Sequence, residues 1–305
     1  MSDKAYYDYN TYLRSIFGER VQKIPLDAGM GCPNRDGTIS EKGCIYCDSR
    51  GSGTGAWIRH GLSIPEQVRR GREFALRRYG AKKYIAYFQS FTNTYASPDR
   101  LRDLYDQALE FPGMVGLSVA TRADCVNREV LELLRSYQKD YLVWVEYGLQ
   151  SAHDETLLRI NRGHDLACFE QALALTAEFG IPVCVHVILG LPGEDKEMMQ
   201  ATALYLSRQP VHGVKIHSLY VVKGTPLAQA YEAGEYRCLE RDEYVDLVVD
   251  FIERLPAGIV IQRLTGDPIK AELVAPKWTL EKSITLQLIR DAFVRRRTRQ
   301  GRFFR

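Results

Sequence analysis

Six short runs rich in β-branched and aromatic residues alternate with longer amphipathic stretches along most of this chain. The runs are "VQKIPLDAG", "KKYIAYFQS", "MVGLSVATR", "YLVWVEYGLQ", "IPVCVHVILG" and "GVKIHSLYVV". Between them lie helix-like segments such as "IPEQVRRGREFALRRYG", "SPDRLRDLYDQALEF" and "DLACFEQALALTAEFG". Ser97-Pro98 and Asn127 read as helix starts, and Gly80 and Gly180 as stops. Strands that alternate with helices predict parallel βαβ units with right-handed crossovers. An open doubly wound sheet and a barrel both satisfy this pattern. In a barrel, chemistry gathers on the loops at the carboxyl ends of the strands.

The alternation occupies residues 1–224. From about residue 225 the pattern changes to "TPLAQAYEAGEYRCLERDEYVDLVVDFIERLP". A last apolar strand, "GIVIQRLTGD", and a terminal helix from about Thr279 follow. Residues 225–305 therefore read as an extension packed on the main domain.

Seven cysteines accompany a start, "MSDKAYYDYNTYLRS", that lacks the apolar core of a secretory signal. No apolar run approaches the ~20 residues of a membrane helix. Together these imply a reducing cytoplasm, no membrane association, and thiols that are buried, metal-bound or reactive. Net charge is only +3, but it is unevenly spread. Arg59 to Lys83 holds six arginines and two lysines against Glu66 and Glu73. The tail carries Arg290, Arg295, Arg296, Arg297, Arg299, Arg302 and Arg305 against Asp291. Such stretches are either phosphate-binding surfaces or solvated faces.

Three cysteines, Cys32, Cys44 and Cys47, form the pattern C-x11-C-x2-C in a glycine-rich loop after the first strand. Zinc would need a fourth ligand, for which His60 is the candidate, and a zinc-stabilised binding protein without catalysis is the non-enzymatic reading. A thioredoxin-like pair would leave Cys32 unexplained. A [4Fe–4S] cluster with three protein thiolates uses all three and leaves one iron open to a small ligand. Cys125, Cys168, Cys184 and Cys238 read as small core residues.

With that loop in place, the chain resembles radical S-adenosylmethionine (radical SAM) enzymes of the YhcC/YtqA-like group, related to the catalytic subunit of elongator. The likeness is carried in order by "IFGERVQKIPLDAGMGCPNRDGT", "AYFQSFTNTYASP", "GLSVATRADC", "VWVEYGLQSAHDETLLRINRGHD", "VHVILGLPGEDKEMM", "VKIHSLYVVKGTPLAQAYEAGEY" and "IVIQRLTGD". It implies a partial (β/α)6 barrel with a C-terminal extension. It also implies a [4Fe–4S] cluster on Cys32, Cys44 and Cys47, and S-adenosylmethionine cleaved to a 5′-deoxyadenosyl radical. Two departures stand out. The commonest spacing in such enzymes is C-x3-C-x2-C, and the Gly-Gly-Glu that often follows the second strand is here Gln89-Ser90-Phe91-Thr92-Asn93.

The resemblance assigns further positions. Tyr46 would lie beside the adenine, and Gln89 or Asn93 would help hold the cofactor's amino group. Ile188 and Gly190 would back the adenine. Arg162, in preference to Arg159, would take its carboxylate. Glu146 and Gln150 alternate on one face of the fourth strand, so both point inward in a barrel. Glu146 would then meet ribose hydroxyls or a substrate amine, or sit in an internal salt bridge. Lys215 and His217 alternate in the same way and are candidates for proton transfer or for anchoring an anionic substrate. Asp267 is a candidate substrate contact. The implied substrate is tRNA, with conversion of wobble-uridine carboxymethylaminomethyl groups to aminomethyl. A protein or a small metabolite is the alternative. A flavodoxin or ferredoxin would supply electrons.

Overall fold

The computed structural model describes residues 4–48, 51 and 61–304. Arg59, His60 and Arg305 lie outside them.

Helix α1 (Tyr9–Phe17) precedes β1 (Val21–Leu26), and the cysteine loop follows. Four β/α units come next: α2 (Ile64–Tyr79) and β2 (Lys83–Phe88), α3 (Pro98–Leu109) and β3 (Met114–Thr121), α4 (Arg128–Ser136) and β4 (Leu142–Gln150), then α5 (Asp154–Arg159), α6 (Leu166–Glu178) and β5 (Val183–Leu189). Helix α7 (Lys196–Ser207) leads into β6 (Gly213–Ser218). The remainder is β7 (Val221–Val222), α8 (Pro226–Glu232), α9 (Arg241–Arg254), β8 (Val260–Arg263), β9 (Leu273–Ala275) and α10 (Lys282–Arg296).

Local chemistry sets these boundaries. The side chains of Ser63, Ser97, Asn127, Asp165 and Asp195 each accept an amide from the first turn of the helix they open. Gly80 ends α2 in the left-handed region at φ 63°, where a Cβ would be strained. Helix α2 also carries Gly71, because Ile24 of β1 packs so close that an added Cβ would meet it at 2.3 Å.

The main sheet is parallel throughout, in the order β1-β2-β3-β4-β5-β6-β8. It holds one strand more than the six-unit alternation implies, because β8 of the C-terminal extension pairs with β6. The run "GVKIHSLYVV" is divided: β6 stays in the sheet, and β7 pairs antiparallel with β9 as a separate ribbon. The sheet curls strongly. Lys23 on the first strand donates from Nζ to Gln262 Oε1 on the last at 2.8 Å, although the two strands lie at opposite edges. Helix α1 and its lead-in sit by that opening, with the Ile261 amide donating to the Tyr7 carbonyl at 2.8 Å. The result is a partial barrel with helices outside and an interior lined by alternate residues of every strand.

Candidate active site

One layer inside the barrel is polar. It takes a residue from each of the seven strands: Lys23, Tyr87, Ser118, Glu146, His186, Lys215 and Gln262. Glu146 is fully buried at its centre. Its carboxylate forms ion pairs with Lys23 and Lys215, accepts the Ser118 hydroxyl, and lies 2.7 Å from His186 Nε2. Lys215 also donates to the Tyr87 hydroxyl at 2.8 Å, and Lys23 donates to Ser118 Oγ at 3.2 Å. A buried charge persists only when paired and hydrogen-bonded, and this one is both.

The layer sets its own protonation. Burial works to raise the Glu146 carboxyl, but Lys215, then Lys23 and His186, hold it well below the usual range. Burial pulls Lys215 down to about 7 against the attraction of Glu146. Burial and Lys215 likewise bring His186 to about 4. Glu146, Cys184 and His186 come close enough together to hold a metal ion. With two lysine ammonium groups already on the carboxylate, electrostatics favours the salt-bridge network over a cation there.

Above this layer lies a cavity of about 1440 Å³, counting its open mouth. Its wall includes Cys32, Cys44 and Cys47 together with Glu146, Gln150, His186 and His217. The cysteine loop is fastened at both ends. The Cys47 amide donates to the Cys44 carbonyl at 3.0 Å, forming a tight turn. The Ile45 amide reaches the Ile160 carbonyl at 3.1 Å, and the Leu227 amide reaches the Ile45 carbonyl at 3.0 Å. The eleven-residue spacer closes on itself through the Gly43 amide and Asn34 carbonyl at 2.7 Å. Asn34 and Asn161 then clasp its base: each Nδ2 donates at 2.7 Å, to the Asn161 and Gly43 carbonyls respectively. The spacer's length is that of a closed loop docked on the segment after α5.

Cationic and polar donors surround the thiols. Arg162 Nη1 stands 3.8 Å from Cys44 Sγ, and Asn34 Nδ2 stands 3.7 Å from it. Arg162 Nε and Nη2 also donate to the Gly148 carbonyl at 3.0 and 2.6 Å. Arg122, paired with Asp124, braces the same segment through the Arg162 carbonyl at 2.9 Å. Burial, with Cys44 beside it, pushes the Cys47 thiol up to about 12. Among the described residues, the three sulfurs do not all lie within 4.8 Å of one another. That is wider than ligands on one tetrahedral zinc require.

The remaining expected positions divide. Tyr46, Gln89, Gln150, Arg162, Ile188 and His217 line the cavity with the cysteines. Gln150 adopts φ 76°, left-handed for a non-glycine residue, where the β4–β5 register shifts. Such strain clusters at functional sites. Lys215 lies just beneath, within the polar layer. Asn93 faces away from the cavity and donates from Nδ2 to the Ala120 carbonyl at 2.9 Å. Gly190 is also outside it, its carbonyl accepting the Tyr236 hydroxyl at 2.8 Å. Arg159 is on the exterior against the Pro192 carbonyl. Asp267 is at the cavity rim, 3.2 Å from Lys282 Nζ. Cys125, Cys168, Cys184 and Cys238 do not line the cavity. Sequence reasoning passed over Lys23, Tyr87, His186 and Arg263. His186 was accessible by strand alternation, two residues before the Ile188 that the resemblance singled out; Arg263 had no such signal.

The radical SAM superfamily model matches residues 29–206, and the radical SAM C-terminal domain matches residues 211–295. The chain belongs to the radical SAM superfamily. Like other members, this radical SAM enzyme uses a [4Fe–4S] cluster and S-adenosylmethionine, and it requires a reductant. The residues present fit that pair: three thiols line one cavity, and Arg162 stands beside Cys44. The chain is 40% identical over 303 residues to the uncharacterized protein YtqA of Bacillus subtilis, covering 99% of this chain and 94% of YtqA. Over 157 residues it is 28% identical to a tRNA uridine(34) acetyltransferase of Methanocaldococcus jannaschii, covering 50% of this chain and 28% of that protein. The fold matches that of Methanocaldococcus infernus Elp3 with a TM-score of 0.70 at 17% identity, covering 92% of this chain and 64% of that one. Among the described residues, no helix is long and apolar enough to cross a membrane.

Proposed function

We propose that this radical SAM enzyme acts on the wobble uridine of tRNA, converting a carboxymethylaminomethyl group to aminomethyl. Cys32, Cys44 and Cys47 would each hold one iron, with S-adenosylmethionine on the fourth. When bound, the pair supplies a 5′-deoxyadenosyl radical able to abstract hydrogen. The observation that carries the reading is the cavity that the three thiols share with Glu146, His186, His217 and Arg263. A substrate with both an amine and a carboxylate suits a lining that holds both acids and guanidinium groups.

Around the cofactor, Tyr46 and Ile188 offer apolar surface for the adenine. Gln89 and Gln150 offer amide groups. Arg162 has committed three of its five N–H groups to Gly148 and Cys44, which leaves two for a carboxylate. The buried walls exclude water while a radical exists. On the substrate, loss of one hydrogen atom and one electron from the carbon between amine and carboxylate, with release of a proton, gives an imine. The cluster, when held by Cys32, Cys44 and Cys47, would be the acceptor for that electron. Water then releases the aminomethyl uridine and a two-carbon aldehyde acid. His217 and Lys215 would handle the protons of that hydrolysis.

For RNA, the two basic segments offer unengaged charge. Arg69 and Arg70 share Glu66, and Arg296 bridges Asp246 and Asp250. Among the described residues, Arg77, Arg297, Arg299 and Arg302 make no ion pair and are free for phosphates. The likeness to a tRNA uridine(34) acetyltransferase supports the same substrate class. A flavodoxin or ferredoxin is the proposed electron donor.

The test compares tRNA nucleosides from a deletion strain with those of its parent. Carboxymethylaminomethyl uridine should accumulate and aminomethyl derivatives should disappear. An unchanged uridine profile sinks the reading.

A further inference from the structure

The polar layer and the residues bordering it carry more positive than negative charge. Lys23, Lys215 and Arg263 face one interior acid, Glu146, while His186 and His217 are held neutral by burial. Lys23 and Lys215 are occupied by Glu146. Arg263 is not. It ends β8, lines the cavity that the cysteines also line, and makes no hydrogen bond or ion pair among the described residues. His217, at the end of β6, lines the same cavity, and its Nε2 is shielded from solvent without a hydrogen-bond partner among the described residues. A half-buried guanidinium and a histidine with an orphaned ring nitrogen, both on residues that line one cavity, are costly to keep empty-handed.

Three further acids, Asp48, Asp267 and Glu272, line the cavity. Asp267 pairs with Lys282 at the rim, Asp48 follows Cys47 in the cluster loop, and Glu272 belongs to the segment that meets the backbone of Lys223. None is seen to pair with Arg263. The complement that Arg263 lacks is a planar anion, for which guanidinium is the preferred partner.

We infer that Arg263 and His217 form a subsite for the carboxylate of the substrate, the guanidinium gripping its two oxygens and the imidazole donating from the side. This rests on the wobble-uridine reading for the identity of the substrate, but not for the subsite itself. Holding the carboxylate fixes the adjacent carbon inside the barrel. It also makes the enzyme discriminate against the aminomethyl product, which has no such group and leaves the subsite unpaired.

Two measurements separate the subsite from the substrate reading. In the first, N-methylglycine is the probe, observed by saturation-transfer NMR with the oxidised holoenzyme. Transfer to its methyl protons is expected, with displacement by acetate and no transfer to methylamine. Arg263→Gln should abolish it, Arg263→Lys should keep part, and His217→Gln should weaken it. Transfer that persists in Arg263→Gln, equal transfer to methylamine, or displacement by inorganic phosphate but not acetate would overturn the subsite. In the second, tRNA carrying carboxymethylaminomethyl uridine is the substrate. Arg263→Gln should raise its KM about 10- to 100-fold, the span of one charge-assisted contact. If N-methylglycine binds through Arg263 but that tRNA elicits no 5′-deoxyadenosine, the subsite stands and the wobble-uridine reading falls.

Discussion

Glu146 on β4 holds the buried ammonium of Lys215 on β6 across the intervening strand, so the pair spans the barrel interior beneath the cysteine loop. Replacing Glu146 with Gln removes the charge but keeps the shape. Lys23 and Lys215 would then share a buried site without an anion. A loss of about 3–5 kcal/mol in stability is expected, typical of breaking a buried ion pair from one side. Urea denaturation of the variant against the parent measures it. A shift below about 1 kcal/mol would mean that the lysines discharge at little cost.

Two pH windows follow from the same layer. His186 sits at about 4 in the folded protein, because of burial and Lys215. An unfolded histidine titrates near ~6.5. Between these values the unfolded chain binds a proton that the native state refuses, so stability falls as pH drops from ~6.5 towards ~4. Lys215, brought to about 7 by burial, compares with ~10.4 when unfolded, so its contribution to stability rises as pH climbs from ~7 to ~10.4. Urea midpoints across pH should show both slopes. His186→Gln should make the lower one shallower without removing it, because burial also lowers His164, His212 and His217, and Lys215→Met should flatten the upper.

Cys44→Ala tests the iron ligands. Reconstituted without oxygen, the parent should be brown and should release 5′-deoxyadenosine when given dithionite and S-adenosylmethionine. The variant should carry less iron and fall to background. Undiminished cleavage would remove Cys44 from the cluster.

Gly148→Ala probes the contact between Arg162 and the cavity wall. A Cβ there would meet Gln150 Nε2 at 2.6 Å and Arg162 Nη2 at 3.0 Å. Both are ends of flexible side chains, so the cost to folding should be about 1 kcal/mol, the low end for overpacking. Cleavage of S-adenosylmethionine should fall by up to about 100-fold, because small displacements of positioning groups are felt strongly in catalysis. Equal losses in stability and activity would point to simple misfolding.

The fold was legible because its signals are local. Strand runs, Ser97, Asn127 and Gly80 each act within a few residues, and capping and alternation do not depend on distant partners. The break between β6 and β7 was not legible. It depends on β9, about fifty residues further along, pulling Val221 and Val222 into a separate ribbon. The seventh strand was read as a strand, but its place beside β6 depends on packing.

The candidate site divides in the same way. Cys32, Cys44 and Cys47 stand out by spacing alone, and alternation put Glu146, Gln150, Lys215 and His217 on inward faces. What alternation cannot supply is the partner. Asn93 and Gly190 belong to segments beside the cavity, yet local backbone geometry turns them away from it. Lys23 and Gln262 lie 239 residues apart and meet only because the sheet curls.

The amino-acid sequence by itself determined the order of strands and helices, the three-thiol loop and the kind of chemistry that loop supports. These follow from periodicity, capping and ligand count, all short-range properties. Tertiary structure alone decided which charges neutralise one another and which remain open. Closure of the sheet brings seven strands around Glu146, satisfies Lys23 and Lys215, and leaves Arg263 facing the cavity without a partner among the described residues. Such pairing depends on distance through a low-dielectric interior, and that distance exists only once the chain has folded.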